Sequence, residues 1–154
     1  MRHHTDVRQA VDGDVAELIR LRALLFETLG NPSSDDQWRD NLAVVLKEQL
    51  AADTMRILVV DGGTGLAACG IGIVEQRLPS PRLRNGRLGQ VIGVVTDPAH
   101  RRRGHSRAIM NGLLDWFRER DVARVDLHAS HDAEPLYREL GFVDHPEPAL
   151  YWRP

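Results

Sequence analysis

Three apolar runs of extended character follow one another between residues 56 and 96: "RILVV" (56–60), "LAACGIGIVEQ" (66–76) and "LGQVIGVVT" (88–96). Only "DGGTG" separates the first two, so they read as a hairpin. The third run joins them as the next strand of the group. The segment between the second and third, "RLPSPRLRNGR" (77–87), is rich in Pro, Gly, Asn and Arg and reads as an exposed loop. A sheet of this kind must cover its apolar faces with helices, and the flanking sequence supplies them.

Upstream, "VRQAV" (7–11) reads as a short first strand. Asp12 or Asp14 is placed to cap the following helix, and Asp14 with Glu17 has capping-box spacing. Leu18, Leu21, Leu25 and Leu29 recur at helical spacing up to Gly30, a natural stop. "NPSSDD" reads as a turn, with Ser34 or Asp35 capping a second helix whose buried stripe is Trp38, Leu42, Val45, Leu46 and Leu50. Downstream, Ile109, Met110, Leu113, Leu114, Trp116 and Phe117 lie on one broad face of a long helix. "ARVDLHA" (123–129) alternates as a strand, a short helix covers about 132–140 before Gly141, and "FVDHPEPALYWRP" closes with two short extended segments. The expected fold class is α/β (α+β), a mixed sheet of roughly six to seven strands with helices on both faces. No repeat, low-complexity tract or linker divides the chain, so residues 1–154 are expected to form a single domain.

A formal charge of −2 argues against a general nucleic-acid binder, which needs a broad basic surface. The exception is local: "DPAHRRRGHSRAIM" (97–110) gathers four arginines and two histidines around one glycine, just before the long helix. Cys69 is the single cysteine and lies in apolar sequence, so it reads as packing, and no internal disulfide can form. That suits a cytoplasmic setting. No apolar run is long enough for a membrane span, and "MRHHTDVRQA" lacks the apolar core of a signal peptide. His3 and His4 read as a tail rather than a metal site.

The basic stretch has the chemistry of an anion site. The first turn of a helix leaves its N–H groups without partners and carries partial positive charge. Gly104 removes steric bulk, Ser106 is small, and Arg101, Arg103 and Arg107 add full charges. A pyrophosphate needs this combination, and each charge-assisted hydrogen bond contributes roughly 1.5–3 kcal/mol. Neither the P-loop pattern nor the Rossmann glycine spacing occurs here. The residues alone leave a solvated basic turn as an equal alternative.

"VVTDPAHRRRGHSRAIM" resembles the acetyl-coenzyme A signature of the GNAT superfamily of N-acetyltransferases, with Arg101, Gly104 and Ser106 in the places of R/Q-x-x-G-x-G/A. Ser106 stands where glycine or alanine is usual, and Arg102 where glycine is frequent. "ASHDAEPLYRELGF" resembles the family's C-terminal helix, with Ala133, Leu136, Tyr137, Gly141 and Phe142 in register and Ser130 replacing the common asparagine.

The resemblance implies a mostly antiparallel sheet with one splayed parallel pair, strands 88–96 and 123–129, and about four helices. It implies acetyl-CoA as cosubstrate, with no metal. The backbone of Val94, Val95 and Thr96 is expected to pair with the pantetheine arm. Arg101, Arg102, Arg103, Gly104, His105, Ser106 and Arg107 are expected to hold the pyrophosphate, and Ser130 occupies a further coenzyme position. Tyr137, protonated at neutrality, is the expected general acid, and His128 is a candidate base beside the weaker Glu27 and Glu75. The expected partner is a small-molecule amine acceptor, not nucleic acid or membrane. Its pocket is expected from "LLFETLGNPSSDDQW" and "RLPSPRLRNGR", where Glu27, Asp35 and Asp36 favour a cation and Arg77, Arg82, Arg84 and Arg87 an anion. Family members are often dimers, and "ALYW" offers an interface for a homodimer. A non-catalytic coenzyme A-binding or sensing module on the same fold is the alternative reading.

Overall fold

The computed structural model describes residues 6–30, 36–52 and 54–154. Five strands form one sheet: β1 (Val7–Gln9), β2 (Met55–Asp61), β3 (Leu66–Gln76), β4 (Arg87–Thr96) and β5 (Arg124–Leu127), ordered β1-β2-β3-β4-β5. The first three pairings are antiparallel and β4 with β5 is parallel. Four helices complete it: α1 (Val15–Thr28), α2 (Gln37–Ala51), α3 (His105–Glu119) and α4 (Glu134–Glu139).

Strand alternation divides the core. Ile57, Val59, Cys69 and Ile71 meet Leu18 and Leu21 of α1 and Leu46 of α2 on one face. Leu58, Val60, Ala68 and Val91 meet Ile109, Leu113, Trp116 and Phe117 of α3 on the other, where Tyr137 of α4 also packs. The expected helix stripe of α3 is therefore the observed one.

Close approach of α3 depends on bare backbone. A Cβ on Gly70 would stand 2.5 Å from Ile109 Cγ2, and one on Gly89 2.8 Å from the Phe117 ring. These glycines of β3 and β4 let α3 lie directly on the sheet, which fixes the position of its first turn at the end of β4.

Several sequence expectations are corrected. The sheet has five strands rather than six or seven, because the C-terminal segment forms none. Pro146, Pro148 and Pro154 remove ladder donors there, and Val143, Leu150, Tyr151 and Trp152 stand exposed. The capping box at Asp14 and Glu17 does not form: Asp14 binds Arg8 and the Val11 N–H, while Glu17 binds Arg20 and the Leu66 N–H. Asp36 occupies the N-cap of α2, and Ser34, Asp35, His3 and His4 lie outside the described residues. Val45 is exposed, so the buried side of α2 is narrower than its apolar content suggested. The 77–86 loop is pinned, with Leu83 buried and Asn85 Nδ2 donating to the Asp121 carbonyl at 2.6 Å. Among the described residues no helix is long and apolar enough to cross a membrane.

Gly70→Ala is expected to destabilise the fold by about 1–3 kcal/mol in urea unfolding, through overpacking against Ile109. Gly13→Ala, with no neighbour in reach, is the control and stays within about 0.5 kcal/mol.

Candidate active site

The β4–β5 ladder ends at Val91 opposite Leu127. Beyond it β4 runs on to Thr96 while β5 has stopped, so the parallel strands part. Val94, Val95 and Thr96 are left with an unpaired backbone edge toward the gap. The parting begins at a bulge. Opposite β3 the register passes from Cys69↔Val95 to Ile71↔Ile92, which places one extra residue in β4. Gly93 absorbs it with φ of 61°, a left-handed value. Cys69 Sγ donates to the Gly93 carbonyl at 3.5 Å. Burial pushes that thiol up to about 12, so it is a packed group and not a nucleophile.

At the end of β4, Asp97 turns the chain. Its Oδ1 accepts from the Ala99 N–H at 2.9 Å and its Oδ2 from Arg20 Nη1 at 2.6 Å. Arg20 also donates to Glu17 and to the Leu66 carbonyl. This network fastens α1 and β3 to the turn that leads into α3. The Ala99 N–H and then Arg20 hold the Asp97 carboxyl below its ordinary range, and Arg20 does the same for Glu17.

The loop that follows reverses hand at Arg102, with φ of 64°, and again at Gly104, with φ of 78°. Glycine is therefore the natural residue at both, and arginine at 102 carries local strain. Gly104 is the N-cap of α3 and supplies no side-chain cap, so the first-turn amides of His105, Ser106 and Arg107 stay open. A Cβ at Gly104 would meet nothing within 4 Å, so the space over those amides is clear. Thr96 Oγ1 and Ser106 Oγ lie 2.9 Å apart, which locks the start of α3 to the end of β4. Serine at 106 thus has a structural partner that alanine or glycine lacks.

The four arginines are not equivalent. Arg101 and Arg102 are exposed and have no partner among the described residues. Arg103 Nη1 lies 3.5 Å from His100 Nδ1, and Arg107 pairs with Glu139 of α4. His105 is half-buried, and its Nδ1 is buried with no hydrogen-bond partner. Burial, and then the charges of His100 and Arg103, lower its pKa.

Tyr137 is 7% exposed and packs its ring against Phe142 at a centroid distance of 6.0 Å. It shares an apolar cluster with Val91, Val94, Val125 and Leu127, side chains of the two parting strands. Burial raises its pKa, so the phenol keeps its proton at neutrality. It lines a cavity of about 490 Å³ along β5 and α4, with Leu114, Leu127 and Phe142. His128 is exposed, one residue beyond β5. Ser130 is used locally, its Oγ accepting from the Ala133 N–H at 3.3 Å before α4. Glu27 is exposed on α1, and Glu75 pairs with Arg77 at 3.1 Å. The structure therefore puts Val94 and Tyr137 in one apolar cluster and ties the α3 first turn to α4 through Arg107 and Glu139. The cavity that Tyr137 lines runs along β5 and α4 without reaching Val95, Thr96 or the α3 first turn, and His128 stands exposed one residue past β5. Among the described residues no group of three or more His, Cys, Asp or Glu is arranged to hold a metal ion.

The sequence profile of the Acetyltransferase (GNAT) family matches residues 16–142. The chain belongs to the GNAT family. Its matched region runs from the start of α1 to Phe142, and so includes β4, the start of α3 and Tyr137. Glucosamine 6-phosphate N-acetyltransferase 1 of Oryza sativa subsp. japonica is 33% identical over 96 residues, which are 62% of this chain and 56% of that enzyme. The match thus spans little more than half the length of that curated relative. Among solved structures, a GCN5-related N-acetyltransferase from Ralstonia eutropha JMP134 is 26% identical with a TM-score of 0.79, covering 96% of this chain and 97% of its own. An acetyltransferase from Clostridium acetobutylicum, solved with acetyl-CoA, shares the fold at a TM-score of 0.86 and 20% identity, covering 95% of this chain and 94% of its own.

Sequence reasoning missed the Arg20–Asp97 tie. The Asp-Pro pair at 97–98 was a visible turn signal, but nothing local marked a partner 77 residues away. Because Asp97 and Glu17 have lowered pKa values in the folded protein, their contribution to stability is present above the ordinary carboxylate range. It is lost as pH falls below about 4. Arg20→Gln is expected to flatten that acid-side fall in a plot of Tm against pH and to lower Tm at pH 7 by a few degrees. Parallel acid limbs in both proteins would contradict the assignment.

Proposed function

We propose that the chain is a single-domain N-acetyltransferase that moves the acetyl group of acetyl-CoA to the primary amine of a small molecule by direct attack in a ternary complex. The observation that carries this reading is the parting of β4 from β5, which leads straight into the uncapped first turn of α3. Acetyl-CoA fits on four counts. The free edge of Val94, Val95 and Thr96 offers strand-like hydrogen bonds to the pantetheine amides. The first-turn amides and the clear space over Gly104 suit a diphosphate, Arg101 and Arg102 supply cations, and buried His105 Nδ1 lacks a partner. Acetyl-CoA supplies a thioester whose carbonyl accepts an amine.

The chain's own residues orient and move protons. Holding thioester and amine together removes much of the entropic barrier to a two-substrate reaction. Tyr137, kept protonated by burial, donates its hydroxyl proton to the departing sulfur. His128, exposed one residue past β5, takes the amine's proton and passes it to solvent. Relatives named as glucosamine 6-phosphate N-acetyltransferases make a phosphorylated amino sugar the first acceptor to try. The reading extends to a homodimer joined through the exposed Leu150, Tyr151 and Trp152. Sedimentation at micromolar concentration distinguishes that dimer from a monomer.

Tyr137→Phe is expected to lower kcat by about 100-fold in a free-thiol assay, while acetyl-CoA still binds. Undiminished kcat would remove Tyr137 from the chemistry. Coenzyme binding without turnover on a broad amine panel would favour a sensing module.

A further inference from the structure

Arg22 is the cation that the account so far leaves without work. It follows Leu18 by one helical step and Leu21 by one residue, so it lies on the inward half of α1. Its guanidinium sits over the Phe26 ring at 5.0 Å from the centroid. A Cβ on Gly93 would stand 3.1 Å from its Nη1, so the bare backbone of the β4 bulge makes room for it.

Two nearby arginines are treated differently. Arg20 is held by Glu17, Asp97 and the Leu66 carbonyl, and Arg8 by Asp14 and Asp61. Half-buried Arg22 has no hydrogen bond or ion pair among the described residues. The titratable group that bears on it is Cys69, a buried neutral thiol and so no counter-ion. Burial accordingly lowers the Arg22 pKa, though a guanidinium remains charged at any working pH. Its nitrogens keep contact with water, so Arg22 is a partly desolvated cation whose donors are open to an anion.

The place of Arg22 says where that partner comes from. On the proposed function, the diphosphate lies at the α3 first turn and the pantetheine follows Thr96, Val95 and Val94 up β4. The thioester then arrives beside Gly93, where Arg22 stands. We propose that Arg22 is the anion receptor of the acceptor pocket, and that the acceptor carries a phosphate or carboxylate on the same small molecule as its amine. The planar fork of guanidinium donors matches either group in bidentate fashion. This inference rests on the acetyltransferase reading and adds to it the charge class of the acceptor.

The test measures kcat/KM with saturating acetyl-CoA for three acceptors: a phosphorylated amino sugar, the same sugar without phosphate, and an amino acid. The parent protein is expected to prefer one anionic acceptor to the neutral sugar by about 100-fold, and which one identifies phosphate or carboxylate. Arg22→Gln is expected to abolish that ratio, chiefly by raising the anionic acceptor's KM, and Arg22→Lys to recover part of it. A parent that uses the neutral sugar as well as both anions would overturn the proposal, as would Arg22→Gln retaining the full ratio. A measurement without turnover stands beside it. With coenzyme A saturating the α3 site, inorganic phosphate is expected to raise the Tm of the parent and not of Arg22→Gln. If no amine is acetylated the acetyltransferase reading fails, whereas the Arg22 site is still judged by this shift. If Arg22→Gln does not fold, phosphate inhibition of the parent competitive with the anionic acceptor supports the site, and its absence overturns it.

Discussion

The seating of α3 on the bare backbone of β3 and β4 governs everything downstream. Gly70 and Gly89 let Ile109 and Phe117 approach the sheet more closely than any side chain would permit. That contact sets where the helix begins. Because α3 begins beside the end of β4, its open amides lie next to the stretch of β4 that has no β5 partner. The Thr96–Ser106 hydrogen bond and the Arg20–Asp97 pair then hold the intervening turn in register. The proposed ligand site is thus assembled from backbone, with side chains acting mainly to keep that backbone in place.

This division of labour answers how a weakly acidic chain presents an anion site. The positive potential is concentrated at one helix start and in the free guanidinium groups of Arg101 and Arg102. Arg8, Arg20 and Arg107, by contrast, are tied to carboxylates. Arg22 stands apart from both sets, half-buried beside the bulge with no hydrogen bond or ion pair among the described residues.

Long, strongly patterned elements were legible in the sequence for plain physical reasons. The α3 stripe from Ile109 to Phe117, the β2–β3 hairpin and the left-handed stop at Gly141 follow from local periodicity and turn chemistry, and all three are present. Val94 to Thr96 and the residues around Gly104 were legible as a motif, and in the structure the Thr96–Ser106 hydrogen bond joins the two segments. What was not legible depends on partners distant in sequence. Glu17 abandons a capping box for Arg20 and the Leu66 N–H, and Arg107 meets Glu139 across a helix–helix gap. The C-terminal segment carries strand-like residues, yet its prolines and exposed apolar side chains leave it without a ladder. Arg22 gave no local signal, because its lack of a hydrogen bond or ion pair among the described residues shows only in the folded chain.

The most direct test of the central claim is a crystal structure of the protein with acetyl-CoA bound. Diphosphate oxygens are expected about 3 Å from the backbone N–H groups of residues 104 to 107, with pantetheine laid along the free edge of Val94 to Thr96. A diphosphate bound away from the start of α3, with the gap between β4 and β5 left empty, would contradict it.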